Sequence, residues 1–266
     1  MSHRAPRSCV ASFVGSCVLL ALAADLPAQR GGGKRRPEAV LERVSCWLVD
    51  GKLPASTAAN AGEDRVAAVG AVADARTRHE LALVYLFDSK VDAEKRAAFE
   101  KTMFGNEELG IALRCFQTAR VDIAGDDDAQ GKYGRRLPLF LAFDENGKQA
   151  GEASLAGYKT AVAPVMGILE KAAGGHVKPT LAIFVSGYRG VVHDIEALDG
   201  KRKVLNDRKG KAADAAKKAE IEKELQAADA EEKQVLAEEK KLLDGAKVPA
   251  RDAAAKRFEI DRGGGR

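Results

Sequence analysis

Apolar residues along this chain follow two rhythms. LALVYLFD, Leu81 to Asp88, is a continuous apolar run with no helical gap, and LPLFLAF, Leu137 to Phe143, is a second. Such short runs bounded by polar turns predict strands covered on both faces. RVDI, Arg120 to Ile123, predicts a third, shorter strand, and KQAGEASL, Lys148 to Leu155, a weaker partner for the second. Between the last two, Asn146-Gly147 predicts a hairpin with a type I′ turn, which needs positive φ at both central residues. The other rhythm is helical. PEAVLERVSCWLVDG spaces Val40, Leu41, Val44, Trp47 and Leu48 along one helix face and stops at Gly51. Glu63 to Arg76 carries Val66, Val69 and Val72 at similar spacing. Asp92 to Phe104 predicts a helix, broken at Gly105-Asn106 and resumed to near Phe116. AGDDDAQGKYGRR reads as a polar loop, and GYKTAVAPVMGILEKAAGG as a closing helix that Pro164 and Gly167 should weaken or kink. This order of elements predicts the α/β class, a mixed sheet with helices on both faces.

Beyond that core the pattern becomes purely helical. From Thr180, apolar residues recur at Leu181, Phe184, Val185, Tyr188, Val191, Val192, Ile195, Leu198 and Leu205 despite Gly187, Gly190 and Gly200, although LAIFVSGY alone could also begin as a strand. After Gly210, an Ala/Glu/Lys/Leu-rich stretch carries a thin stripe at Ile221, Leu225, Ala228, Val235, Leu236, Leu242 and Leu243. Its charges mix in sign, which suits a solvated helix and argues against an anion-binding tail. The stripe must rest on something: an antiparallel hairpin turning across Asn206 to Gly210, or a coiled coil with a second copy of the chain. Residues 176–248 therefore read as a long charged C-terminal helical extension. The central domain is expected over 63–175, an N-terminal helix and loop over 37–62, and a loose tail over 249–266.

The first residues change the compartment. Arg4 and Arg7 precede an apolar run from Cys9 to Ala24, with small residues at Ala21 and Ala23. That layout predicts a secretory signal peptide over 1–28, cleaved after Ala23 or Ala28, and hence an exported protein that meets a membrane only through its leader. The apolar run falls short of the ~20 residues that span a bilayer. Residues 29–36, glycine and basic, are expected to form a flexible linker. With Cys9 and Cys17 lost, Cys46 and Cys115 remain. Two buried free thiols, a bridge between them, and an intermolecular bond through an exposed Cys46 all stay open.

Charge and motifs exclude more than they select. The formal net charge of +4 belongs partly to the leader and to the Arg30 to Arg36 segment, and no basic stripe is interleaved with aromatics, so nucleic-acid binding has no support. No cofactor or metal is expected. Asp126, Asp127 and Asp128 suggest calcium, but an EF-hand loop begun at Asp126 puts Leu137 where a bidentate Glu is required. His79, His176 and His193 have no metal-ligand spacing, and Tyr133 reads as a packing residue.

Several stretches resemble thioredoxin-like proteins, roughly from Glu63 to Ala173. RVDIAGDDDAQGKYGRRLPLFLAFDENGK is similar to the family's strand ending in V-D, polar loop, K-Y-G turn and cis-proline before a core strand. ASLAGY fits the approach to the last helix, and FEKTMFGNEELGIAL resembles a run found in a bacterial branch of secreted or periplasmic members. The resemblance implies a cis Leu137-Pro138 bond beside an active site. It also places DAEKR, Asp92 to Arg96, where relatives carry W-C-x-x-C, with Ala93 and Arg96 at the two cysteine positions. Dithiol exchange needs a low-pKa thiolate at a helix N-terminus and a second thiol one turn on, and neither sulfur is there. The resemblance thus implies a redox-inactive, non-catalytic protein. It would bind an unidentified protein or peptide through Asp92, Glu94, Lys95, Leu137 and Pro138, with the helical arm as spacer or assembly element. Two alternatives stand beside it: a thiol-disulfide protein using Cys46 or Cys115, and a structural protein of the cell envelope.

Overall fold

The computed structural model of the chain describes residues 36–56 and 65–258. The leader, both cleavage points, all of the linker but Arg36, and Glu63 and Asp64 lie outside the described residues; of the helix expected from Glu63 to Arg76, residues 65–69 form turns instead and the helix begins at Gly70. Six strands form one sheet in the order β5-β4-β2-β3-β1-β6. β1 (Trp47–Gly51), β2 (Leu81–Phe87) and β3 (Phe116–Asp122) run parallel, and β4 (Leu139–Phe143) and β5 (Gln149–Ser154) add antiparallel. This is a mixed α/β sheet with flanking helices, compatible with a thioredoxin-like fold.

β2 explains the layering. All of its residues are buried, and successive side chains point to opposite faces. Leu81, Leu83, Tyr85 and Phe87 enter the larger core, under α1 (Glu38–Val44), α3 (Ala93–Phe104), α4 (Glu107–Leu113), α6 (Val162–Ala173) and α7 (Leu181–Lys211). Ala82, Val84 and Leu86 enter the smaller one, under α2 (Gly70–Arg78) and α5 (Asp127–Tyr133), where Tyr133 packs. A strand so placed has no polar face to show, hence its unbroken apolar run.

Four further expectations need correction. The helix read through Leu48 ends at Val44, because Ser45 turns extended and Trp47–Gly51 pairs with β3 as a strand. WLVDG suits either state alone, and the parallel pairing decides. The polar loop at 124–136 contains α5, nucleated by Asp126, whose carboxylate accepts from the Ala129 amide at 3.0 Å. At the β4–β5 turn only Gly147 has positive φ, so the turn is not type I′; Asp144 Oδ1 organises it by accepting from the Asn146 and Lys148 amides, both at 2.9 Å. The tail is tied down at least to Phe258: β6 (Lys256–Arg257) pairs antiparallel with β1, and the Phe258 amide donates to Cys46 O at 2.9 Å. Arg36 is likewise anchored, to Glu107 at 2.7 Å and Glu196 at 3.0 Å.

The extension is a helical hairpin. Thr180 caps α7, and α8 (Ala215–Gly245) starts at Asp214, so the turn falls at 212–214, just past the expected one. From Leu181 to Ile195 the α7 stripe belongs to the larger core. Further out, α7 and α8 cover each other, burying Leu198, Leu205 and Ala228, with ion pairs such as Lys201–Glu231 and Arg202–Glu232 along the seam. The rest of the α8 stripe is half-buried, and Leu236 and, on α7, Val204 stay exposed. Among the described residues no helix is long and apolar enough to cross a membrane.

Candidate functional site

β2 and β3 end side by side at Phe87 and Asp122, and β4 begins opposite, with Leu139 across from Leu86. One further pair in that register sets Pro138 beside Phe87. The crevice beyond the carboxyl ends of parallel strands is where open α/β sheets place their ligands, and α3 starts there.

The Leu137-Pro138 bond is cis, as the resemblance implied, and so is Lys178-Pro179, which no expectation covered. Leu137 and Pro138 themselves are buried, so this part of the expected binding face offers backbone rather than side chains. Asp92, Ala93, Glu94 and Lys95 are exposed and Arg96 half-buried. Asp92 caps α3: its Oδ1 accepts from the Glu94 amide at 3.0 Å and the Lys95 amide at 3.2 Å. The helix-terminal donors that would hold a thiolate in a dithiol site are thus occupied by the chain's own carboxylate. Ala93 and Arg96 sit in the first turn of that helix, and no sulfur lies between Asp88 and Arg96.

What surrounds this helix start is cationic and aromatic. The Arg96 guanidinium lies 5.6 Å from the Phe87 ring centre, and Arg120 lies 5.0 Å from the same ring. Lys95 stands 5.7 Å from the Tyr158 ring, which packs edge-on to Phe99. Tyr158 has a positive φ of 61°, and its hydroxyl is buried without a hydrogen-bond partner. Burial raises the Tyr158 pKa against the lowering effect of Arg96. Beneath, Tyr85 OH donates to Glu100 at 3.1 Å, and burial first, then the Glu100 charge, pushes that phenol far up. Asp122 closes the far side by accepting from Ser89 N at 2.9 Å and Ala124 N at 3.0 Å. Burial would raise the Asp122 pKa, but those bonds and the charge of Arg96 hold it below the usual carboxylate range. The Tyr85 O–H is committed to Glu100 and the Tyr158 hydroxyl is buried, so it is the Lys95 and Arg96 cations and their aromatic neighbours that can hold acceptors and stack planar groups. Phe87, Arg120 and Tyr158 reach the site from separate elements, and only the ASLAGY text hinted at one of them.

Cys46 and Cys115 are free and belong to the larger core. Cys46 is 0% exposed, which removes the bond through an exposed Cys46. Burial alone pushes its thiol far up; burial, against Arg114, pushes Cys115 up to about 12. Native protein at neutral pH should therefore react with a thiol reagent at least ~100-fold more slowly than protein in denaturant; fast labelling of either cysteine would contradict this packing. Of the other residues weighed, Asp126 pairs with Arg65, His176 contacts Glu145, His193 lies 3.7 Å from Glu107, and His79 caps α2. Comparison of the chain with protein-family models finds no match, and comparison with curated proteins finds none.

Proposed function

We propose that this chain is a thioredoxin-like protein that has given up dithiol chemistry and binds an extended peptide or protein segment, after export, at the carboxyl end of its sheet. The observation that carries the reading is the start of α3: Asp92 occupies the amides that would serve a thiolate, and Ala93 and Arg96 stand in the first turn, Arg96 over the Phe87 ring. Around it, Arg96 and Lys95 lie over the Phe87 and Tyr158 rings, and the cis Leu137-Pro138 segment leads into β4. An extended segment could pair there and stack on Arg96 and Tyr158. The redox alternative is less favoured because both thiols are buried. The structural alternative is less favoured because the first half of α7 is committed to the larger core.

The test is selection of extended peptides against the full chain, followed by affinity measurement on variants. Arg96→Glu should weaken the selected peptides about tenfold or more, as loss of a charge-assisted contact does, while Arg202→Glu in the hairpin should leave them unchanged. Peptides that bind but ignore Arg96 would overturn the assignment of this face.

A further inference from the structure

A cavity lies at the other end of the sheet. Trp47 and Phe116 open β1 and β3, and the segment from Val248 to Ala255 straps across them, leaving a pocket of about 170 Å³. Gln117 Nε2 donates to Ala250 O at 3.1 Å, and Arg251 stacks 3.6 Å from the Trp47 ring centre while donating to Glu42 at 3.2 Å. The floor is apolar, with Val49, Leu113 and Phe116, and the strap adds Val248 and Pro249. A dry cavity of ~150 Å³ is enough for a benzene-sized body.

The polar groups in this wall are unbalanced. Arg114 is half-buried and packs 4.9 Å from the Tyr188 ring, but among the described residues no carboxylate lies within ion-pair distance of it. Its Nη1 donates to the Arg43 carbonyl at a long 3.5 Å. Its Nε and the Nε1 of Trp47 are fully buried and have no hydrogen-bond partner among the described residues. Arg43 and Glu239, facing from α1 and α8, are paired with each other at 2.8 Å, and Glu80 is engaged by Gln117 at 3.0 Å. Asp252 lines the pocket, but its Oδ1 accepts from the Ala254 amide at 2.7 Å. Burial and the neighbouring Arg114 both lower the Arg251 pKa, the mark of two guanidiniums close together. Arg251 has Glu42 as its partner, but Arg114, which lines the pocket, has no carboxylate of its own among the described residues, and a bound anion would supply one.

We propose that this strapped pocket is a binding site for a small organic carboxylate of about benzoate size, its carboxylate accepting from the terminal nitrogens of Arg114 and its apolar body resting on Leu113 and Phe116. A planar two-oxygen anion matches a guanidinium edge better than a spherical one. The site is separate from the peptide face and does not depend on it.

Trp47 is the only tryptophan of the chain, so its fluorescence reports on this pocket alone. Titrating the full chain with benzoate should give a saturable fluorescence change and a raised melting temperature. Benzamide, of the same shape without the charge, and sulfate should give neither. Arg114→Gln should weaken benzoate about tenfold or more. Should that variant lose its fold, Arg251→Gln, nearer the surface, should still weaken it severalfold. No saturable response to benzoate, an equal response to benzamide or to sulfate, or full binding by both variants would overturn the proposal.

Discussion

Gly110→Ala should destabilise the protein by about 3 kcal/mol or more, although alanine is the better helix former by about 1 kcal/mol. A Cβ at Gly110 would lie 1.8 Å from Val44 O and 2.8 Å from Val44 C. Both are backbone atoms, so no side chain can swing away; α4 and α1 would have to separate. That separation would disturb Val40, Val44 and the strap anchored on Cys46 O. In a domain of this size the loss corresponds to a fall in melting temperature of roughly 6–12 °C, read by circular dichroism. An unchanged melt would mean that α1 does not dock on α4 as described.

Glu239→Ala is the second large effect. Glu239 is buried on α8 and accepts from Tyr188 OH at 2.6 Å and from Arg43 Nε and Nη2, both at 2.8 Å, so one carboxylate joins α8, α7 and α1. Removing one partner of a buried pair costs about 3–5 kcal/mol. Arg43 keeps 21% of its side-chain surface exposed, so water screens part of that, and about 2–3 kcal/mol is expected. The same group sets an acid limit. Burial would raise the Glu239 pKa, but the bonds from Arg43 and Tyr188 hold it below its ordinary value of 4.5. Its stabilisation is therefore complete above the unfolded-state value and is lost as pH falls from there through the lower folded-state value. Urea melts across that window should show wild type losing stability toward Glu239→Ala; a constant gap between them would contradict the coupling.

These two positions also show what the sequence could and could not disclose. β2 and β4 were legible because a strand buried on both faces must be apolar throughout. The α7–α8 hairpin was legible because its stripes needed covering. β1 was not: Trp47 and Leu48 continue the helical spacing of Val40 and Val44, and only pairing with Val49 opposite Ala119 makes a strand of them. α5 hid behind an aspartate run whose first member, Asp126, is its cap. The strap hid because Lys256 and Arg257 carry no apolar signal, their place being set by backbone pairing to β1. At the candidate site, Ala93, Arg96 and Pro138 came from the family resemblance. Arg120 and Phe87 meet Arg96 only through the register of distant strands, and the lone Arg114 is conspicuous only once the paired arginines around it are known. Nothing in the sequence around Gly110 marks it as a helix contact rather than a breaker.

The most direct test of an emptied dithiol site is to refill it. In an Asp92→Ala background, which frees the helix-terminal amides, Ala93→Cys with Arg96→Cys puts two thiols one helical turn apart at the start of α3, while Cys46 and Cys115 stay buried. In an insulin-reduction assay with dithiothreitol as terminal reductant, the double variant should reduce insulin by closing its own disulfide and be regenerated by the dithiol reagent, accelerating the reaction where the wild-type chain does not. A folded double variant that neither closes that disulfide nor accelerates insulin reduction, or a wild-type chain that accelerates it, would contradict the reading.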